Sequence, residues 1–233
     1  MNVKHPKLFG LMVLFCCLGL SGCLSMNYKS PVNNPTTPRW LNPFTFDQEG
    51  KVGETLHDVA FEIMFVSSGG GELTVKNCFE VLALGETAIA QREFSRWEWL
   101  KSSCLGASSY YRSPETAISY WGNTFNLELL KTFPATAVPY LGGQGLDGRS
   151  GDLGKKEPTL TLVESGDNSV KVSIDDMVID YVVLARADFN RDGYQDVFVR
   201  LDWYIENSFG EGFDWLVLTK TSTNAAPMML WRK

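Results

Sequence analysis

Hydrophobic and polar positions fall into three regimes along the chain. Residues 8–20 form an unbroken apolar run of 13 residues behind Lys4 and Lys7. A middle regime mixes short apolar blocks with helical spacing. Residues 59–66 read as a strand, residues 67–71 as a Ser/Gly turn, and residues 73–84 as a second apolar stretch. Ser95-Arg96-Trp97-Glu98 has the pattern of a capping box, with Trp97, Leu100, Cys104 and Leu105 following at helical spacing. Ser113-Pro114-Glu115 predicts a second helix running toward Trp121, with Ser113 as its cap. A third, short helix over residues 125–131 should stop before Pro134. Residues 142–154 carry almost no apolar side chains and read as a mobile loop. Beyond it, residues 159–164, 170–174, 177–187, 197–204, 213–219 and 228–231 are β-branched and aromatic, with Gly, Asn and Asp between them. The order predicts an α+β fold in a single domain: helices mainly in the first half, a largely antiparallel sheet in the C-terminal half. No internal repeat is visible.

Composition narrows the class. With 44% hydrophobic, 12% aromatic and 21% charged residues in 233, the chain has enough apolar surface to offset the ordering entropy of a fold. A net charge of −6 excludes non-specific nucleic-acid binding, which needs a basic surface.

The apolar run at residues 8–20 is shorter than the roughly 17–25 residues a bilayer-spanning helix needs, and its basic flank reads as an export signal. Leu20-Ser21-Gly22-Cys23 resembles the bacterial lipobox. The resemblance implies diacylglyceryl transfer to the Cys23 thiol, cleavage before Cys23, and a lipid anchor in the bilayer. Leu24, where Asp would retain an inner-membrane lipoprotein, implies the outer membrane, with the domain facing the periplasm. Removing residues 1–22 takes Lys4 and Lys7 and no acid, so 21 basic residues become 19 against 27 acidic ones and the charge moves from −6 to −8. Residues 23–45, with prolines at 31, 35, 38 and 43, then read as an extended tether whose far end docks through Trp40 and Phe44. The globular domain is expected over residues 46–233: a mixed part to 141, a Gly-rich loop over 142–156, and a β-rich part from 157.

Cys16 and Cys17 leave with the signal and Cys23 takes the lipid, so Cys78 and Cys104 remain. An even pair in an oxidising compartment is a disulfide candidate, the alternative being two buried thiols. Zinc is disfavoured, because two thiols and His57 do not complete a tetrahedral site.

One constellation carries chemistry. Asp188-Phe189-Asn190-Arg191-Asp192-Gly193-Tyr194-Gln195-Asp196 follows D-x-N-x-D-G-x-x-D. Oxygens at positions 1, 3 and 5 can converge inside a tight loop, Gly193 reverses the chain, and the Tyr194 carbonyl and Asp196 complete an oxygen set suited to Ca²⁺. Position 12 is Val199 rather than the bidentate Glu of an EF-hand, and both flanks read as strands. The nine residues resemble the calcium loop of FG-GAP-type repeats, where the ion staples a turn between strands. The single copy does not carry the propeller fold with it. The alternative is a hairpin turn whose Asp and Asn side chains cap local amides. Asp202, Glu206, Glu211 and Asp214 follow as further candidate ligands or solvated acids. The aromatic residues of 202–215 read as a hairpin's core, or as a platform for a sugar.

Other signals fail on context. Gly143-Gln144-Gly145-Leu146-Asp147-Gly148 matches G-x-G-x-x-G but sits in loop rather than between strand and helix. His57-Asp58 lacks a nucleophile elbow to serve. The sequence therefore points to a non-catalytic, membrane-anchored envelope module with a structural calcium site, binding a glycan or an envelope protein. Its alternatives are a periplasmic glycan hydrolase using carboxylates near the calcium hairpin, and an accessory subunit of an envelope complex.

Overall fold

The computed structural model describes residues 35–41, 60–142, 145, 146 and 148–233. Two short strands come first, β1 (Pro35–Thr36) and β2 (Arg39–Trp40). A hairpin of β3 (Ala60–Val66) and β4 (Glu72–Asn77) leads into α1 (Cys78–Ala83), two 3-10 turns, and the long helix α2 (Phe94–Tyr111). Then follow β5 (Ala117–Ile118), α3 (Leu127–Lys131) and α4 (Leu153–Lys156). From there on the regular elements are all strands: β6 (Thr161–Ser165), β7 (Ser169–Ile174), β8 (Met177–Ala187), β9 (Asp196–Ile205), β10 (Glu211–Thr219) and β11 (Met228–Arg232). The fold is α+β, as the pattern predicts.

Strands β6 to β11 lie side by side in chain order as an antiparallel meander, and β2 extends the sheet by pairing with the far end of β8, Arg39 opposite Arg186 and Trp40 opposite Ala185. Alternation along β8 sorts its side chains between two faces. Ile179, Tyr181 and Val183 enter a core with Trp121, Phe125, Leu130, Phe133 and Leu153 from α3, α4 and their connections. Val182 and Leu184 enter a second core with Phe198 and Trp215, on which α2 packs through Trp99 and Tyr110.

Helix α2 is covered on both sides. Its outer face, with Trp97, Leu100, Cys104 and Ala107, meets the β3–β4 hairpin and α1 in a third core. Close approach to the sheet depends on Gly106, where an added Cβ would lie 2.1 Å from the Phe198 ring. The Cys78–Cys104 disulfide, fully buried, ties the start of α1 to α2 with Cα atoms 5.1 Å apart. Closing that 26-residue separation removes enough unfolded-state freedom to contribute about 3 kcal/mol.

Three local expectations are corrected. The capping box does not form: a 3-10 turn over Gln91–Glu93 runs directly into α2, so Ser95 lies inside the helix and Glu93 is the cap residue without a capping side-chain bond. Glu98 instead pairs with Lys101 and Lys233. Ser113-Pro114 opens no helix, because residues 117–118 are held as strand between β1 and the 188–196 loop. The 142–154 loop ends in helical α4, anchored by fully buried Leu153. The short helix near 125–131 does form, capped by Asn126 accepting from the Leu129 amide. The chain is already paired with the domain at Pro35, within the stretch expected as tether.

Candidate functional site

Residues 188–195 connect β8 to β9 in a tight loop, with Arg191 at φ 63° and Gly193 at φ 90°, a backbone region that favours glycine. Its acidic side chains cap its own backbone. Asp188 accepts from the Asp192 amide at 3.1 Å and the Gly193 amide at 2.9 Å. Asn190 accepts from the Asp192 amide at 3.1 Å and donates to Asp192 Oδ2 at 2.8 Å. Asp192 Oδ1 takes the Tyr194 amide and Asp196 Oδ2 the Phe189 amide. The second Asp196 oxygen is buried with no hydrogen-bond partner, and so is the hydroxyl of Thr219, its register partner on β10. Burial pushes the Asp196 carboxyl up to about 6. The Thr219 hydroxyl, near enough to favour the charge though not in bonding geometry, and the Phe189 amide act against that shift; Asp192 and Asp188 add to it.

This loop is also a clasp. Gly193 O accepts from Ile118 N at 2.9 Å, and Ile118 O from Gln195 N at 2.8 Å. Gln195 reaches Thr36 on β1, accepts from Ser119, and its carbonyl takes the Trp121 indole N–H at 2.6 Å. Arg191 turns away to the Arg112 carbonyl at 2.8 Å, and among the described residues no cation pairs with the loop's carboxylates. The structure thus brings Asp188, Asn190, Asp192, Tyr194 and Asp196 onto one turn and directs most of their oxygens to amides. Among the described residues no group of three or more His, Cys, Asp or Glu is arranged to hold a metal ion.

Of the other candidates, Cys78 and Cys104 are joined, while Cys23 and His57 lie outside the described residues. Asp214 is neither ligand nor solvated: it is buried against Arg232, the Trp203 indole and the Tyr140 amide on the opposite face of the sheet. No described helix is long and apolar enough to cross a membrane.

A second arrangement is invisible to motif reading. Register places Lys171, Asp180, Asp202 and Phe213 in one transverse row across β7, β8, β9 and β10. The next row holds Ser173, Val178, Tyr204 and Glu211 on the same face. Helix α2 covers the sheet only as far as Arg200, whose guanidinium lies over the Trp99 and Trp215 rings at 5.5 and 5.8 Å and pairs with Asp202 at 2.8 Å. What remains is a cleft of about 440 Å³ with Ser95 of α2 at its rim. Two buried polar atoms beside it lack partners, Asp180 Oδ1 and Arg200 Nη1, an acceptor and a donor. Burial raises the Asp180 carboxyl above the usual range; Asp202 and Glu164 reinforce this, and Lys171 and Arg200 oppose it.

Comparison with known protein families, with curated proteins and with solved structures finds no match to this chain.

Proposed function

We propose that this protein is a lipid-anchored envelope module, attached through Cys23 to the outer membrane, that binds a glycan on the open face of its sheet without transforming it. The observation carrying this reading is the cleft lined by Lys171, Asp180, Asp202 and the half-exposed ring of Tyr204, where Asp180 keeps one oxygen without a hydrogen-bond partner. A sugar hydroxyl both donates and accepts, so it suits a cleft lined by the Asp180 and Asp202 carboxylates and the Lys171 ammonium. Aromatic faces pack on the apolar C–H surface of a pyranose. A buried orphan acceptor is unfavourable by about 1–3 kcal/mol, and a ligand that supplies its partner recovers that energy.

The loop at 188–196 is proposed as a structural calcium site. Its donors are hard oxygens, it holds three carboxylates that pair with no cation among the described residues, and one Asp196 oxygen is buried and unpaired. Asp188, Asn190, Asp192, the Tyr194 carbonyl and Asp196 would hold the ion. When bound, it supplies the positive charge that the loop lacks. The chain's own residues then keep β5 and Thr36 of β1 clasped to the sheet through Ile118 and Gln195.

A second reading, glycan hydrolysis, draws on the same row. Asp180 and Asp202 are cross-strand partners, which places their Cα atoms about 4.5–5.5 Å apart. Burial favours the protonated form of Asp180, while Arg200 pairs with Asp202. Two carboxyl groups in unlike environments are the requirement for an acid and a base or nucleophile. Incubating the protein with isolated cell-wall sacculi separates the two. Co-sedimentation that Asp202→Asn and Tyr204→Ala abolish, with no soluble sugar released, is the expected result. Release of reducing ends that Asp180→Asn stops would favour the hydrolase, and no co-sedimentation would remove the glycan from the account.

A further inference from the structure

A different cleft, on the opposite face of the sheet, holds positive charge that no carboxylate among the described residues compensates. Strand β2 sets Arg39 directly opposite Arg186 of β8. Like charges directly opposed across a strand pair destabilise it. Each is several bonds from a remedy, since neither guanidinium has a carboxylate within 4.0 Å among the described residues. Arg186 donates one N–H to the Gly122 carbonyl at 2.8 Å, but its Nε is buried with no partner.

The space in front of the pair is about 530 Å³ and carries further donors. Asn123, Thr124 and Asn168 line it, and the Thr124 hydroxyl oxygen already accepts from Asn126, so its proton is free to point outward. Asp167 stands at the same wall, beyond ion-pair distance of both arginines. Two guanidinium forks with amide and hydroxyl donors outnumber the lone pairs of a single carboxylate and suit a tetrahedral oxyanion.

We propose that Arg39 and Arg186 form a binding site for a phosphate group, either free or borne as the monoester of a lipid or sugar headgroup. The site lies on the opposite face of the sheet from the glycan cleft, with Arg186 two residues before Asp188 of the 188–196 loop. It is a local exception on a chain whose net charge is −6. Its position on β2 places it where the anchored N-terminal segment enters the sheet.

The test is calorimetric titration of the full chain in non-ionic detergent and calcium-free buffer, with inorganic phosphate and with glycerol 3-phosphate as separate probes. Saturable binding is expected, reduced about tenfold or more by Arg186→Gln and by Arg39→Gln. Arg186→Lys keeps the charge and loses the fork, so it should weaken binding by a smaller factor while circular dichroism stays that of the parent. Asp167→Asn removes the one opposing charge and should tighten binding several-fold, an effect a structural role for Asp167 would not produce. Glycerol 3-phosphate binding more tightly than phosphate identifies a headgroup monoester, and equal affinity identifies free phosphate. No saturable heat with either probe at millimolar concentration, or binding unchanged in both glutamine variants of folded protein, would overturn the proposal.

Discussion

Asp180 and Asp192 illustrate two different consequences of confining a carboxylate. At Asp180, burial raises the folded-state pKa, so the folded protein binds its proton more readily than the unfolded chain does. The resulting stability is fully present below the unfolded value, about 4, and is lost as pH rises through the raised folded value. Asp180→Asn mimics the protonated form, so it should gain stability relative to the parent between pH 4 and pH 7, measured as the difference in melting temperature. An identical difference at both pH values would contradict that assignment. Asp192 sits instead on a turn whose charge is shared with Asp188 and Asp196. At a hundredfold excess over Kd, calcium should raise the melting temperature by about 5–10 °C, and Asp192→Ala should lose the increase. Equal melts in EDTA and in Ca²⁺ would reduce the loop to a set of capped amides. The nine-residue pattern was readable because its members are consecutive. Asp180 with Asp202, and Arg39 with Arg186, were not readable, because strand register rather than spacing brings them together.

Elements were legible where apolar alternation ran uninterrupted. The strand at Met177–Ala187 coincides with the expected range, and β7, β9, β10 and β11 differ from theirs by only one or two residues at an end. Two expected helix starts, at Ser95 and at Ser113, differ in the structure, since capping residues state a local preference that tertiary contacts override. Ser113-Pro114 could have opened a helix, but Ala117 and Ile118 gain more from pairing with β1 and closing on Gly193 and Gln195. Helix α2 depends on closeness to the sheet at one point. Gly106→Ala would place a methyl group within the Phe198 ring, and the shift it forces should lower stability by about 1–3 kcal/mol, read from chemical denaturation. The same helix is stapled to α1, so Cys104→Ser should lower stability by about 3 kcal/mol under oxidising conditions and match the parent under reducing ones. A loss that persists after reduction would assign the effect to packing around Cys104 instead.

At the scale of the whole molecule, the sheet is covered unevenly. One face lies under α3, α4 and the segment from Trp121 to Val138, sealed at its end by Asp214, Arg232 and the carbonyls of Thr136 and Val138. The other lies under α2, which stops short of the rows holding Asp180 and Tyr204. Charge is likewise divided: the cleft row with Asp180 and Asp202 lies on one face, and the paired arginines at β2 line a cleft on the other. Beyond the cleft, the hairpin joining β9 and β10 ends in Phe209, fully exposed, next to Asn207 at φ 59°. Recognition belongs to this open face, with its carboxylates and the Tyr204 ring. The most direct test is to titrate the protein, labelled for two-dimensional NMR, with soluble cell-wall muropeptides. Saturable shifts are expected, confined to the rows of Lys171, Asp180, Asp202 and Phe213 and of Ser173, Val178, Tyr204 and Glu211, with the sugar recovered intact. Shifts confined to the α3 side of the sheet, or none, would contradict it.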